Sequence, residues 1–395
     1  MEDTNQIKKI AVYTGTRAEY GLLSPFLKRL STDSTFELQL LVSGAHLSKD
    51  HGRTIDQIIA DGYAPAWTVP LDLSSDKALG LCRGLGESVV EWGRAFEELK
   101  PELLVVLGDR YELLGPAQAA LMFNIPMAHI HGGEVTEGAM DDMLRHAITK
   151  MSHLHFVAAD AYAQRVIQMG EEPQRVHQVG ALGLEVLDAL GEVSLSELEE
   201  SLGFGSLAKG YFLMTFHPLT LNLEEGLREL EALLQALGKF PDIKVIVTGV
   251  NADPGFKVLH ERIMEAVEES PNRIKAFSSL GQKRYGWAMA HAVAVVGNSS
   301  SGIIEAPYLG TPTLNVGDRQ KGRLMADSVF CCGADVEAMT SYLNECQLKY
   351  KGSHLKLKGG GYYGSAKTSE KMIDILKGVD WGALRQKKFR DVHCD

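Results

Sequence analysis

The amino-acid sequence predicts an α/β protein of two units, each a parallel sheet covered by helices on both faces. Three observations carry this expectation. Short apolar, β-branched runs alternate with amphipathic helical stretches. The alternation begins again beyond a boundary near residues 183 to 205. Polar clusters sit just past the strand-like runs, the end at which parallel sheets bind ligands. A chain of 395 residues with 45% hydrophobic and 23% charged residues can bury two cores.

The first unit opens with "KKIAVYTGTRAEYGLLSPFLKRL", a strand, a glycine turn and an amphipathic helix, and "FELQLLVSGAHL" supplies the next strand. "LGLCRGLGESVVEWGRAFEELK" has helical spacing, "ELLVVLGD" reads as a buried strand, "AQAALMFN" as helix and "IPMAHIHGGE" as strand. A further helix is expected from Asp141, then a strand in "SHLHF" whose His153 and His155 are structural. The acidic "LSELEESLG" leads into the second unit. Its strands are expected in "GYFLMTFHPLT", "IKVIVTGVNAD", "RIKAFSSLG", "AVAVVGNSSSG" and "TPTLNVGD".

Composition narrows the function. A net charge of −11 argues against general polyanion binding, so no nucleic-acid partner is expected, although a local arginine pocket can still hold a phosphate. Cys82, Cys331, Cys332, Cys346 and Cys394 show no paired metal-ligand spacing and are expected as free thiols in a reducing compartment. The opening "MEDTNQIKKIAVYTGTR" has neither the apolar core of a signal peptide nor a membrane-length span. A cytoplasmic protein without a membrane partner is therefore expected.

The candidate chemistry lies in the loops. "VVLGDRYE" places Asp109 and Arg110 directly after an apolar strand, where Asp109 could equally cap the next helix. In "HIHGGE", strand alternation puts His129 and His131 on one face; with Glu134 they could bind a metal or move a proton, and a bare H-x-H is weak grounds for metal. Asp141 and Asp142 open a helix with Arg145 and His146 four residues on, a pattern that also serves as plain helix decoration. "VVGNSSSGIIEAP" offers Gly297 for a tight turn, the hydroxyls of Ser299, Ser300 and Ser301, and a helix start at Gly302, together an anion site. Glu305, about one turn on, can accept from ribose hydroxyls. Arg17 in "TGTRAEYG" and Arg319 in "VGDRQKGR" suit bidentate phosphate binding or surface ion pairs. His217 in "TFHPLT" could donate to a phosphate, carry a proton or act as a cap. Together these suggest a nucleotide diphosphate under acid/base attack.

In chain order, "TGTRAEYG", "GAHLSKDHGRT", "LGDRYE", "HIHGGE", "DDMLRHAITK", "FHPLT", "NAD", "GNSSSGIIEAP" and "GDRQKGR" resemble the UDP-N-acetylglucosamine 2-epimerases, specifically the hydrolysing branch of bacterial sialic acid synthesis. The resemblance implies a GT-B fold, two Rossmann-like α/β/α domains facing a central cleft. Residues 1–185 would carry the acid/base groups, 186–365 would bind UDP, and 366–395 would form a helical segment packing back on the first domain. It also implies a UDP-sugar substrate, no cofactor, no metal, and a homodimer or homotetramer. By motif, Arg17, His217, Asn251, Ser299, Ser300, Glu305 and Arg319 would hold the nucleotide and diphosphate, with Ser301 and Gly302 in the same loop. Asp109, Glu134 and Asp141 would be the acid/base carboxylates, with Arg110 beside the substrate. Many family members read "HIEGGE"; where this chain has His131, imidazole would carry that proton or pass the task to Glu134.

The implied reaction converts UDP-GlcNAc and water to N-acetylmannosamine and UDP through 2-acetamidoglucal. Four rivals stand beside it: the same reaction on UDP-2,4-diacetamido-2,4,6-trideoxyglucose, epimerisation without hydrolysis, glycosyl transfer to an acceptor, and sugar-nucleotide sensing without turnover.

Overall fold

The computed structural model describes residues 7–48, 53–71, 78–137, 139–191, 193–219, 222–249, 256–352, 361–364 and 366–391. The chain divides into two compact units, 1–134 with 141–185 and 363–395, and 135–140 with 186–362.

Unit one holds seven strands: β1 (Lys8–Thr14), β2 (Phe36–Ser43), β3 (Trp67–Val69), β4 (Leu103–Leu107), β5 (Met127–Ile130), β6 (Leu154–Val157) and β7 (Val176–Gln178). All pair in parallel, in the order β3-β2-β1-β4-β5-β6-β7. Every residue of β4 is buried, which is why it reads as a continuous apolar run rather than an alternation. Successive residues of β1 enter opposite cores. Ile10 and Val12 join Leu23, Phe26 and Leu27 of the helix Arg17–Thr32, together with Met372, Ile373 and Leu376 of the helix Thr368–Gly378. Ala11 and Tyr13 join Trp92 and Phe96 of the helix Ala78–Leu99. Each large side chain so buried contributes about 1.5–3 kcal/mol of transfer free energy. The sheet order turns back between β1 and β4, so the loops after these two strands flank the switch point at which such sheets take ligands.

The end of the described chain is pinned to unit one by a buried carboxylate. Glu171 is 1% exposed and accepts from Lys150 Nζ (2.6 Å), Lys387 Nζ (2.9 Å) and His155 Nε2 (3.0 Å). Burial opposes ionisation, but the hydrogen bonds from His155, Lys150 and Lys387 outweigh it and bring Glu171 down to about 2. Phe389 packs on Gly170, and the Arg390 N–H donates to the Gly170 carbonyl (2.9 Å).

Unit two holds β8 (Tyr211–Thr215), β9 (Lys244–Thr248), β10 (Ile274–Phe277), β11 (Ala294–Gly297), β12 (Thr313–Val316) and β13 (Val329–Cys332). They form a second parallel sheet in the order β10-β9-β8-β11-β12-β13, whose switch point lies between β8 and β11. Its core gathers Phe212, Met214, Val245 and Val296 from the strands with Leu230, Leu233 and Leu237 from the helix Leu223–Gly238.

Three strands, β3, β7 and β13, were not expected; all are three or four residues long. Cys82, Cys331, Cys332 and Cys346 are free thiols, and Cys394 lies outside the described residues. Among the described residues no helix is long and apolar enough to cross a membrane.

Candidate active site

At the switch point of unit one, the loop after β1 is held by a capping box. Thr16 Oγ1 accepts from the Glu19 N–H (3.3 Å), and Glu19 Oε2 accepts from the N–H groups of Gly15 (2.7 Å) and Thr16 (3.1 Å). Burial raises the Glu19 carboxyl to about 7, against the pull of Arg110. Arg17, half-buried, is the first residue of the helix that follows. "TRAE" is the capping-box signature, so this device was legible in the sequence.

The loop after β4 carries Asp109 and Arg110. Arg110 Nη2 donates to Glu112 Oε1 (2.8 Å). Asp109 is gripped by the Arg145 guanidinium, from the second turn of the helix Met140–Met151. Asp141, in the first turn of that helix, is half-buried, and Asp142 faces His146 one turn on (3.7 Å). The side chain of Arg145 is 3% exposed and that of Asp109 is 21% exposed, so the carboxylate lies at the edge of solvent with its partner beneath it.

The "HIHGGE" segment departs from expectation. β5 ends at Ile130, and His131 has φ +65°, a left-handed conformation that breaks the alternation, so His129 and His131 do not share a strand face. His129 is fully buried and both ring nitrogens are engaged within the fold, Nε2 with the Gly108 carbonyl (2.7 Å) and Nδ1 with Thr149 Oγ1 (3.0 Å). It therefore has no nitrogen to offer a metal. His131 Nδ1 instead meets Glu134 Oε1 at 2.6 Å. A carboxylate accepts, so the nitrogen between them is protonated and Nε2 is left to donate or accept elsewhere; that atom is buried and has no hydrogen-bond partner among the described residues. Among the described residues, no group of three or more His, Cys, Asp and Glu is arranged to hold a metal ion.

In unit two, Asn298 assembles three loops, and sequence reasoning missed it. Its Oδ1 accepts from the His217 N–H (2.6 Å) and its Nδ2 donates to the His217 carbonyl (2.8 Å). Its own carbonyl accepts from Gln320 Nε2 (2.8 Å) and Arg319 Nη1 (3.3 Å). The three serines beside it drew the attention, yet a carboxamide presents its acceptor oxygen and donor nitrogen side by side, the geometry that such a reciprocal clamp on one residue's N–H and C=O uses. Gly297 precedes it with φ +124°; a Cβ there would lie 2.0 Å from the Thr215 carbonyl oxygen, so no other residue fits.

The serine loop is partly turned inward. Ser301 Oγ contacts the Tyr285 hydroxyl (2.5 Å) and donates to Ser299 Oγ (3.0 Å). Burial raises the Tyr285 pKa, so the phenol remains neutral. The Gly302 N–H donates to the Ser299 carbonyl (3.1 Å), and Gly302 packs on Thr313, where a Cβ would come within 2.8 Å. Gly302 thus serves packing, and Ser301 supports the loop from inside. Glu305 lies in the same helix, Ser301–Leu309, half-buried. Asn251 lies outside the described residues.

Asp109 after β4, the His131–Glu134 pair after β5, and the Asn298–Ser301 loop with Arg319 in the second unit all lie past the carboxyl ends of parallel strands, the end at which such sheets take ligands. The family model described as UDP-N-acetylglucosamine 2-epimerase matches residues 28–377, and the chain belongs to that family. It is 38% identical over 322 residues to the GDP/UDP-N,N'-diacetylbacillosamine 2-epimerase (hydrolyzing) of Campylobacter jejuni, covering 82% of this chain and 83% of that one. It is 36% identical over 342 residues to the polysialic acid biosynthesis protein P7 of Escherichia coli, covering 86% of each. The crystal structure of UDP-GlcNAc 2-epimerase from Neisseria meningitidis bound to UDP-GlcNAc matches with a TM-score of 0.76 at 16% identity, over 94% of this chain and 100% of that one. The fold is therefore the two-domain, GT-B-like α/β fold of that family.

Proposed function

We propose that the chain is a hydrolysing UDP-GlcNAc 2-epimerase, converting UDP-GlcNAc and water to N-acetylmannosamine and UDP, a step that can feed sialic acid synthesis. The observation that carries it is the His131–Glu134 pair at the end of β5, one strand from the loop bearing Asp109. Removing a weakly acidic C–H and returning a proton from the other face needs at least two separately held proton carriers.

A base takes the proton from C2, the C2–H electrons form the C1=C2 bond, and the C1–O bond breaks to release UDP. Water then adds its hydroxyl to C1, and a proton reaches C2 from the opposite face. In this reading Asp109 and Asp141 handle C2, while Glu134 and His131 handle water or the returning proton. In the same reading Ser299, Ser300, His217 and Arg319 of the second unit neutralise the departing diphosphate and Asn251 and Glu305 hold the nucleoside; of the first unit's arginines, Arg17 serves the diphosphate and Arg110 stands beside the substrate. No redox cofactor is required, because no net oxidation occurs.

A second reading keeps the reaction and changes the sugar to the 2,4-diacetamido compound, favoured by the name of the Campylobacter jejuni relative. Proton NMR in D2O with each sugar nucleotide tests both. Free UDP with a C2-deuterated 2-epimer is the expected result, and the sugar turned over faster names the substrate. Release of a UDP-linked epimer without free UDP would overturn hydrolysis. Arg319→Ala is expected to weaken UDP binding by about 1.5–3 kcal/mol, roughly 10- to 100-fold in Kd. Titration calorimetry with UDP checks this, and unchanged affinity would remove Arg319 from the phosphate site.

A further inference from the structure

We propose that His129 is the positioning residue of the unit-one site, tying the Asp109 loop and the Asp141–Arg145 helix to the strand that ends at Ile130, just before His131. The inference rests on the proposed reaction only in calling those loops catalytic.

Two hydrogen bonds and one close approach carry it. A carbonyl only accepts, so Nε2 at 2.7 Å from the Gly108 oxygen bears the ring proton. Nδ1 is then bare and accepts from the Thr149 hydroxyl at 3.0 Å. Gly132 is seated on that second bond: a Cβ there would lie 2.9 Å from Thr149 Oγ1 and 3.1 Å from His129 Nδ1. One imidazole thus bonds to the residue before Asp109 and to the helix that bears Asp141 and Arg145, and with Thr149 it leaves no room for a side chain at position 132, in the loop between His131 and Glu134. Burial pushes the ring down to about 3, so it is uncharged at neutral pH and does not exchange protons with substrate. His129 and Thr149 are both 0% exposed, so water cannot substitute for either bond.

The test uses Thr149→Val, which removes one donor and keeps the shape, Thr149→Ser, which restores it, and His129→Gln. Thr149→Val is expected to lower kcat by roughly 100-fold, the scale of a small misplacement of reacting groups, with KM and UDP affinity near wild type. Thr149→Ser recovers most of the rate. Hydrogen exchange of the peptide spanning Gly108–Arg110 is expected to speed up at least tenfold in His129→Gln. Loss of rate only in proportion to loss of folded protein, or unchanged exchange in that peptide, would overturn the proposal. If the wild-type protein turns over neither sugar nucleotide, the proposed reaction fails, and the exchange measurement still decides the role of His129.

Discussion

Asp109→Asn is expected to lower UDP release by roughly 10²- to 10⁴-fold, the range for removing a general base, while UDP still binds. The substitution changes little in size and keeps one oxygen toward Arg145, so the loop geometry is largely retained. In the proposed mechanism it removes the group that accepts the C2 proton. Deuterium incorporation at C2, followed by NMR, should disappear together with UDP release. Wild-type turnover in the variant would exclude Asp109 from the proton chemistry. Loss of UDP affinity alone would reassign it to binding.

Glu171→Ala is expected to destabilise the protein by about 3–5 kcal/mol, the cost of breaking a buried ion pair from one side. Lys387 and His155 would be left facing a cavity, and Lys150 would lose its carboxylate partner. The pH dependence has a definite sign. The folded-state pKa of Glu171 lies at about 2, below the ordinary 4.5, so its contribution is present above the unfolded value and is lost as pH falls toward the folded one. Thermal melts should show the widest gap between wild type and variant at pH 7, narrowing between pH 4.5 and pH 2. An equal gap at pH 7 and pH 3 would refute the assignment.

The long apolar strands were legible because both faces of a parallel sheet are buried; β1, β4, β8 and β11 each run apolar and then meet a loop that carries candidate site residues. The edges were not. β3 and β13 are short and only partly buried, so neither run length nor alternation marks them. The HIHGGE segment misled because alternation was carried past Ile130 into a residue with positive φ. The grip of Arg145 on Asp109 joins residues 36 apart, and the clamp of Asn298 on His217 joins residues 81 apart. Local pattern contains no information at that range; a helix face shows only what lies three or four positions away.

The helix Thr368–Gly378 has a consequence for biosynthesis. Met372, Ile373 and Leu376 complete the same core as Ile10 and Val12, so β1 waits for a helix translated long after it before its apolar face is covered. Residues 186–362, by contrast, form most of a unit of their own. The second sheet can therefore close while the first is still half-dressed, an order opposite to that in which they are translated. Premature termination before Met372 would leave an intact second unit attached to an open first one, a natural client for chaperones and proteases.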